Sequence, residues 1–363
     1  MQVLVDTFFS NIASGHGGNR RTAQIAELIA RANLEIVQFE RQILDTPSKR
    51  YLAGLSAIAN PKTFFFIANH QIRTHRSLNN LAFCGFQRQL YHQVLAQHAE
   101  HSLLIWEATK NYVAPYVAKD QGFNVIAMPH NLESLVPDQR AFHESLSTEV
   151  AALAKADTVF CIAYEEMWFL RLKGVNAFYL PYYPPSAIVE QLARIRQQRE
   201  TMTKDRYLIL GSAGNPPTRE GMIEQITWLK TLRQQSEFQV DIVGYATETL
   251  MEYSDADFTV HGAVSDAALT KFLTHTKAAL VHQTASSGAL TRIPEMLIAG
   301  IPVVANLNAG RSAFGYSGVY CYEDAIELRD LITRSLPPPP ELKRPLAEEN
   351  RFIQSVQQLS KLS

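Results

Sequence analysis

The segment 278–305 constrains the fold of this chain more than any other, because a strand, a loop, a helix and a second strand follow one another directly. The apolar run 278–281 is short and flanked by polar residues, which is typical of a strand buried in a parallel sheet. Small residues at 284–288 form the loop, Gly300 ends the helix, and the run 301–305 begins the next strand. This succession predicts an α/β fold with a parallel sheet.

The helix inside this segment predicts a binding site. Thr291 is placed to cap its N-terminus, and Pro294 lies in the first turn, where proline is tolerated. A helix N-terminus behind a small-residue loop, at the carboxyl end of a parallel strand, binds anions readily. Glu295 follows one turn into the helix, and a carboxylate there suits the hydroxyl groups of a sugar. Together these features indicate a nucleotide-type ligand.

Alternating strands and helices extend through both halves of the chain, as expected for parallel sheets. Strands are predicted at 3–9, 36–39, 64–68, 103–105, 125–129, 157–161 and 177–181 in the first half, and at 207–210, 240–244, 258–262 and 319–322 in the second. The proline-rich segment 181–185 interrupts the pattern and is predicted to join two domains. We therefore expect domains at 1–183 and 184–345, followed by a last helix within 346–363.

Composition and charge exclude several classes of protein. The 35 acidic and 34 basic residues give a formal charge of −1, which argues against nucleic-acid binding. The three cysteines are widely spaced and form no CxxC pair, so we expect no structural zinc and a reducing, cytoplasmic location. The N-terminus lacks a basic region, and no uncharged apolar run approaches about 18 residues, so no membrane span is predicted. Peripheral contact with a membrane stays open.

Two patterns argue against a bound cofactor or metal ion. The loop 10–19 follows the first strand as a dinucleotide-binding loop does, but Arg20 stands where the third glycine of the motif is required. We therefore disfavour NAD binding and expect a flexible loop that lets a substrate approach the backbone. His98 and His101 share a helix face, but no carboxylate at metal-ligand spacing completes the set, so solvated histidines are favoured.

Two further loops carry candidate binding residues. His130 follows the strand at 125–129, at the carboxyl edge where open α/β sheets bind ligands. Its alternative role is a hydrogen bond to a neighbouring loop. In the second half a glycine loop at 211–221 precedes a helix that Asn215 or Thr218 can cap. Arg219 can neutralise the charge of a bound phosphate there; alternatively, it lies on a solvated face of the helix.

With both halves considered, the chain resembles the retaining nucleotide-sugar glycosyltransferases of glycosyltransferase family 4, which have the GT-B fold. Glu295 and the G-x-P-V-V pattern at 300–304 carry the resemblance, with support from the loop 15–19 and from His130. The family signature has a second glutamate eight positions earlier, and Ser287 stands there instead. The resemblance implies two Rossmann-like, doubly wound domains that face each other across a cleft, with the last helix crossing back to the first domain.

The resemblance also implies roles for individual residues. Glu295 would hold the ribose hydroxyls, Arg219 and Arg292 would supply charge for the pyrophosphate, and His130 would lie near the reacting sugar. The implied donor-binding residues are Ser212, Asn215, Arg219, Ser287, Gly288, Thr291, Arg292 and Glu295, and the implied acceptor-binding residues are Gly17, Gly18 and Asn19. Because helix N-termini and arginine can stabilise the departing diphosphate, no metal and no cofactor beyond the substrate is expected.

The expected function is transfer of a sugar, with retention of configuration, from a nucleoside diphosphate sugar to a carbohydrate or lipid-linked acceptor. Two alternatives stay open. One is a sugar-nucleotide epimerase of related architecture, and the other is a non-catalytic sugar- or nucleotide-binding protein, since Ser287 replaces the first glutamate of the signature. An NAD-dependent enzyme is the least favoured alternative.

Overall fold

A computed structural model describes residues 2–13, 15–40, 46–72, 78–136, 145–234, 236–313 and 315–361. The chain forms two compact units. Unit 1 comprises Met1–Asn11, Thr22–Pro181 and Pro345–Ser363, and unit 2 comprises Ile12–Arg21 and Tyr182–Arg344. The main crossing from unit 1 to unit 2 therefore falls after Pro181, and a short early segment belongs with the second unit.

The described residues form twelve strands. They are β1 (Gln2–Asp6), β2 (Glu35–Gln38), β3 (Leu103–Trp106), β4 (Asn124–Ala127), β5 (Thr158–Cys161), β6 (Ala177–Tyr179), β7 (Arg206–Leu210), β8 (Gln239–Val243), β9 (Phe258–Gly262), β10 (Thr276–Val281), β11 (Val303–Asn306) and β12 (Val319–Tyr322). Most of the central strands are apolar and buried along their whole length, as in a parallel sheet covered on both faces.

Helices separate these strands. They are α1 (Gly17–Arg31), α2 (Pro47–Ile58), α3 (Pro61–Asn69), α4 (Leu78–Gln97), α5 (Ala114–Asp120), α6 (Leu146–Leu153), α7 (Tyr164–Leu172), α8 (Ser186–Arg199), α9 (Pro216–Arg233), α10 (Asp266–His275), α11 (Arg292–Ile298), α12 (Leu307–Gly310), α13 (Ala325–Thr333) and α14 (Leu346–Leu359). Short 3-10 turns occur at Glu133–Leu135, Thr247–Tyr253 and Arg311–Ala313. None of these helices combines the length and apolarity needed to cross a lipid bilayer.

Unit 1 contains a six-stranded parallel sheet in the order β2-β1-β3-β4-β5-β6. Alternate residues of β1 enter different cores, because Leu4 packs in one apolar cluster whereas Val3 and Val5 pack in another. Both faces of the sheet are therefore covered. The strand order reverses beside β1, so the loops that follow β1 and β3 flank the topological switch point, where ligands of such sheets bind.

Unit 2 contains a second six-stranded parallel sheet, in the order β12-β11-β10-β7-β8-β9. Its switch point lies between β7 and β10, which are hydrogen-bonded neighbours. The amide of Asn306 ties the carboxyl ends of β10 and β11 together, since it accepts from the Gln283 N–H at 3.1 Å and donates to the Gln283 carbonyl at 2.9 Å. Two parallel sheets flanked by helices confirm the predicted α/β, doubly wound fold.

The last helix, α14, belongs to unit 1. Phe352 packs edge-on against Phe160 of β5, with ring centroids 5.2 Å apart, and Val356 is buried in the same cluster. The Asn124 side chain donates to the Leu359 carbonyl at 2.9 Å, which fixes the end of the helix beside β4. The helix was predicted to extend to 362, and that residue lies outside the described residues.

The predicted strand at 64–68 is wrong, because these residues belong to α3. The Asn60 side chain accepts a hydrogen bond from the Lys62 N–H at 3.0 Å, and Pro61 occupies the first helical position. Phe66 is buried whereas Phe64 and Phe65 are exposed, a pattern of helical rather than strand period. A short apolar run does not by itself distinguish the two structures, and the Asn-Pro capping signal decides between them here.

Candidate functional site

The switch point of unit 2 brings two sequence-predicted segments together, the glycine loop after β7 and the loop before α11. A Cβ atom on Gly211 would lie 2.5 Å from Nη1 of Arg292, which only a glycine avoids. Arg292 therefore extends from the start of α11 to the backbone of the neighbouring loop. The two segments that the sequence assigned to donor binding meet at this arginine.

Arg292 is a half-buried cation with one unused donor. Its Nε atom is buried and has no hydrogen-bond partner within the described part of the chain. Burial, and to a smaller extent the neighbouring charge of Arg20, lower the pKa of Arg292 to about 10, so the guanidinium remains protonated at neutral pH. A buried donor on a charged group is costly to leave unpaired, so this position favours an anion.

Glu295 is buried on α11, and both of its carboxylate oxygens have partners. The Tyr182 hydroxyl donates to Oε1 at 2.8 Å, and the Arg20 guanidinium pairs with Oε2. Burial raises the pKa of the Tyr182 hydroxyl above its usual range, so it stays a donor. Arg20 also donates to the Gly15 carbonyl at 2.7 Å, which ties the glycine loop to Glu295. The carboxylate is neutralised within unit 2.

The predicted cap at Thr291 is wrong. Its backbone is already helical, and its side chain makes no capping hydrogen bond. Because α11 has only seven residues and lacks a side-chain cap, its N-terminus contributes less to anion binding than the sequence predicted. A Cβ on Gly17 would lie 3.3 Å from the Thr291 hydroxyl, so the loop assigned to the acceptor approaches this residue.

The helix after the glycine loop, α9, begins at Pro216 and Pro217, which have no N–H groups to offer an anion. Asn215 precedes it without a side-chain cap and donates instead to the Thr218 hydroxyl at 3.1 Å. Arg219 is half-buried, and its side chain makes no hydrogen bond or ion pair among residues with a described position. The first two residues of α9 therefore cannot donate backbone N–H groups to an anion.

The remaining predicted residues have backbone-centred roles. Gly288 has a φ of 79°, which glycine adopts without strain, and its carbonyl accepts from Arg311. Ser287 is half-buried beside it, and Ser212 lies next to Gly214 in the loop after β7. The Gly18 N–H donates to His16 Nδ1 at 3.1 Å, and Asn19 is buried against Gly15.

A second polar cluster lies at the carboxyl ends of β10 and β12. His282 Nδ1 is 2.9 Å from the Tyr322 hydroxyl, its Nε2 is 3.3 Å from Glu224, and its ring packs edge-on against Trp228. Gln225 donates to the same tyrosine hydroxyl at 2.8 Å. Burial lowers the pKa of His282, with Glu224 acting in the opposite direction, so the imidazole is neutral in the folded protein at pH 7.

In unit 1, His130 is paired with a buried carboxylate that the sequence did not identify. His130 Nε2 lies 2.6 Å from Oε1 of Glu107, and the Thr22 hydroxyl donates to the same oxygen. Because an ionised carboxylate can only accept, Nε2 is the donor of this pair, and in the neutral imidazole Nδ1 is then an acceptor. Phe9 packs on the imidazole with ring centroids 5.0 Å apart. The Oε2 atom of Glu107 is buried without a hydrogen-bond partner among the described residues.

Another carboxylate, Glu133, lies in the loop after β4. It is buried, and Lys110 from the loop after β3 lies 3.4 Å from its Oε2 atom. Burial raises the pKa of Glu133, and the lysine partly opposes that change. The carboxyl ends of β3 and β4 thus hold two buried carboxylates, a histidine and a lysine.

Glu107, Arg20 and Tyr182 are therefore the site residues that the sequence did not reveal. Glu107 directly follows the apolar run of β3, as His130 follows β4, so its position at a strand end was a usable signal. Arg20 and Tyr182 had no such signal, because they are 275 and 113 residues from Glu295 in the sequence. Only the tertiary structure pairs them.

Comparison with known proteins establishes a fold rather than a family. No protein-family model matches the chain, and no curated protein matches its sequence. Sucrose-phosphate synthase from Thermosynechococcus elongatus is similar at a TM-score of 0.58 and 15% identity, covering 99% of this chain and 94% of that one. An α,α-trehalose-phosphate synthase (UDP-forming) from Burkholderia vietnamiensis is similar at a TM-score of 0.63 and 12% identity, and the match covers 99% of this chain and 93% of that one. UDP-GlcNAc 2-epimerase from Methanocaldococcus jannaschii is similar at a TM-score of 0.56 and 10% identity, and the match covers 99% of this chain and 100% of that one.

These similarities show that the chain has the GT-B fold, as the sequence predicted. The two sheets carry their switch points where enzymes of this architecture bind ligands. Membership of glycosyltransferase family 4 stays a prediction, since identities of 10–15% establish the fold alone.

Proposed function

We propose that the chain transfers a sugar from a nucleoside diphosphate sugar to an acceptor, and that unit 2 binds the donor. The observation that carries the proposal is Arg292, a half-buried cation located against Gly211 at the switch point of the sheet, whose buried Nε donor has no partner among the described residues. The names of two similar proteins include a uridine nucleotide: the trehalose-phosphate synthase is UDP-forming, and the epimerase acts on UDP-GlcNAc. A uridine diphosphate sugar is therefore the proposed donor.

The proposed donor contacts follow from charge. Arg292, together with the half-buried Arg219, would neutralise the diphosphate and stabilise it as it departs. Glu295 would accept hydrogen bonds from the ribose hydroxyls, which requires that Arg20 move from its oxygen. The other proposed donor contacts are Ser212, Asn215, Ser287, Gly288 and Thr291, all of which lie in the two loops at the switch point.

In unit 1, the proposed catalytic group is His130. Its Nδ1 atom is the nitrogen left for a sugar hydroxyl, because Nε2 is held by Glu107. The free oxygen of Glu107 would accept a second sugar hydroxyl and so satisfy a buried acceptor. Gly17, Gly18 and Asn19, which begin helix α1 and belong to unit 2, are the proposed acceptor contacts, because the two glycines leave the backbone accessible. Retention of configuration and independence from a metal ion complete the proposal.

The proposed acceptor is a carbohydrate, free or lipid-linked, and the protein is proposed to act in the cytoplasm. The lipid-linked case has support on α3, where Phe64 and Phe65 are exposed next to Lys62. Exposed aromatic and basic residues suit the interface of an anionic bilayer. Flotation with anionic vesicles tests this contact. Wild-type protein should float, and a Phe64→Ser, Phe65→Ser variant should not.

The test of function is a product assay with purified protein, a panel of nucleoside diphosphate sugars and a panel of acceptors. Transfer supports the proposal when a glycosylated product forms and nucleotide release depends on the acceptor. Release of an epimerised sugar without acceptor identifies an epimerase, and binding without turnover identifies a binding protein. The anomeric proton coupling in the product, measured by NMR, tests retention. Activity after chelator treatment tests the independence from metal.

A further inference from the structure

We infer that His98, Glu100 and His101 form a binding site for a divalent transition-metal ion, in the turn between α4 and β3. Their three donor atoms lie within 4.8 Å of one another. Glu100 Oε1 is 3.3 Å from His101 Nε2 and 3.8 Å from His98 Nδ1. The sequence predicted that no carboxylate completes the set, whereas in the structure Glu100 lies close enough to both histidines to do so.

The spacing of these atoms fits a tetrahedral metal site. Zinc bonds to nitrogen and oxygen of about 2.0–2.1 Å imply ligand atoms about 3.3 Å apart. The pair of Glu100 and His101 already has this separation, and the pair of Glu100 and His98 must close by about 0.5 Å. The two histidine nitrogens lie within 4.8 Å of each other and must close by at most about 1.5 Å. Glu100 is largely exposed, so its carboxylate can rotate toward a common centre without disturbing the core.

Backbone hydrogen bonds hold the turn that carries the two imidazoles. The His98 N–H donates to the Leu95 carbonyl at 3.0 Å, and the His101 N–H donates to the His98 carbonyl at 2.9 Å. The rings are stacked, with centroids 5.6 Å apart and planes 19° from parallel. Ser102 continues the turn and donates to the Ser360 carbonyl at 3.0 Å. The turn thus brings the three ligand atoms within 4.8 Å of one another, and the side chains must still rotate for their lone pairs to meet at one metal ion.

The ligand types select the class of metal. Two imidazoles and one carboxylate suit Zn²⁺, Co²⁺, Ni²⁺ or Cu²⁺, whereas Mg²⁺ and Ca²⁺ prefer oxygen ligands alone. Three protein ligands leave a coordination position for water.

The site is separate from the candidate active site. It precedes β3, whereas Glu107 follows that strand, and the four residues between them span about 13 Å. The ion would therefore lie apart from the candidate catalytic residues and bridge side chains of the turn between α4 and β3. Its loss should lower the thermal stability of unit 1 and leave catalytic turnover unchanged.

Cobalt titration of the full chain, expressed without a histidine tag and treated with chelator, tests the site. Wild-type protein should bind one Co²⁺ with a visible absorption band of low symmetry, and Zn²⁺ should displace it and raise the melting temperature. His98→Ala and His101→Ala should abolish the band and the temperature shift, and Glu100→Gln should weaken binding. His92→Ala is the matched control, because His92 is an exposed histidine on the same helix.

The melting temperature of each metal-free variant shows whether it is folded, so loss of binding is not confused with unfolding. The inference is overturned if wild-type protein binds no Co²⁺ saturably. It is also overturned if the folded His98→Ala and His101→Ala variants bind Co²⁺ as wild-type protein does.

Discussion

Glu107 of unit 1 and Glu295 of unit 2 are both buried near the binding edge of their sheets, and the two carboxylates differ in how they are satisfied. Glu295 has a partner on each oxygen, Tyr182 on Oε1 and Arg20 on Oε2. Glu107 has both partners on Oε1, and its Oε2 is without one among the described residues. A ligand can bond to Glu107 directly, whereas a ligand of Glu295 must first displace a neighbour. The two glutamates therefore suit different tasks.

The largest expected effect is on Glu107, the carboxylate with the free oxygen. Glu107→Gln removes the charge that holds His130 in one tautomer and offers an amide to the substrate instead. We expect turnover to fall about 100-fold or more, as for loss of an acid–base or orienting group, with little change in donor affinity. Initial rates at saturating donor measure this. Exposed Glu165→Gln is the control, and an unchanged kcat in Glu107→Gln would remove the catalytic pair from the account.

The second effect concerns Arg292, the half-buried cation of unit 2. Because a hydrogen bond to a charged group contributes about 1.5–3 kcal/mol, Arg292→Ala should raise the donor KM about 10- to 100-fold. Arg292→Lys should recover part of the loss, since the charge returns without the Nε donor. Steady-state kinetics with varied donor measure both. Equal KM values in wild-type protein and Arg292→Ala would contradict the proposed diphosphate contact.

A smaller effect sharpens the comparison of the two glutamates. If ribose competes with Arg20 for Glu295, Arg20→Ala should tighten binding of uridine about fivefold, which corresponds to about 1 kcal/mol. Uridine is the chosen probe because it has no phosphate that Arg20 could attract. Glu295→Gln should weaken uridine binding instead. Calorimetric titration compares the variants, and weaker uridine binding by folded Arg20→Ala would show that no such competition exists.

The smallest effect is a pH dependence of stability. Burial lowers the pKa of His282 in the folded state, so the unfolded chain binds a proton near pH 6.5 that the folded chain does not. The resulting stability is present above about pH 6.5 and is lost as the pH falls toward the lower folded value. Urea unfolding between pH 5 and 8 measures the slope. The slope should decrease in His282→Gln and persist in His92→Ala, and an identical slope in both would contradict this assignment.

The fold was largely predictable from the sequence, because strands buried on both faces appear as short apolar runs between helices. β3, β4, β10 and β11 all follow this rule. The exception at 64–68 has the same composition but forms a helix, which the preceding Asn60-Pro61 pair initiates. Residue composition alone does not separate a five-residue strand from a short helix, whereas capping chemistry does.

The candidate site was less predictable because its charges are paired over long sequence distances. Glu295 was identified from its place in a local pattern, but nothing local indicates that Arg20 neutralises it. Glu107 could have been predicted as a site residue, since it directly follows a buried strand, but its pairing with His130 depends on how β3 and β4 align in the sheet. Candidate residues were therefore predictable from local sequence patterns, whereas their partners are known only from the tertiary structure.

Calorimetric titration of the full chain with UDP, in parallel with uridine, tests the central claim most directly. The difference between the two affinities isolates the diphosphate contribution. We expect wild-type protein to bind UDP more tightly than uridine. Arg292→Ala should lose most of this difference in affinity, and the exposed control Arg194→Ala should keep it. Equal affinities for UDP and uridine in wild-type protein, or an undiminished difference in Arg292→Ala, would contradict a diphosphate site at the switch point of unit 2.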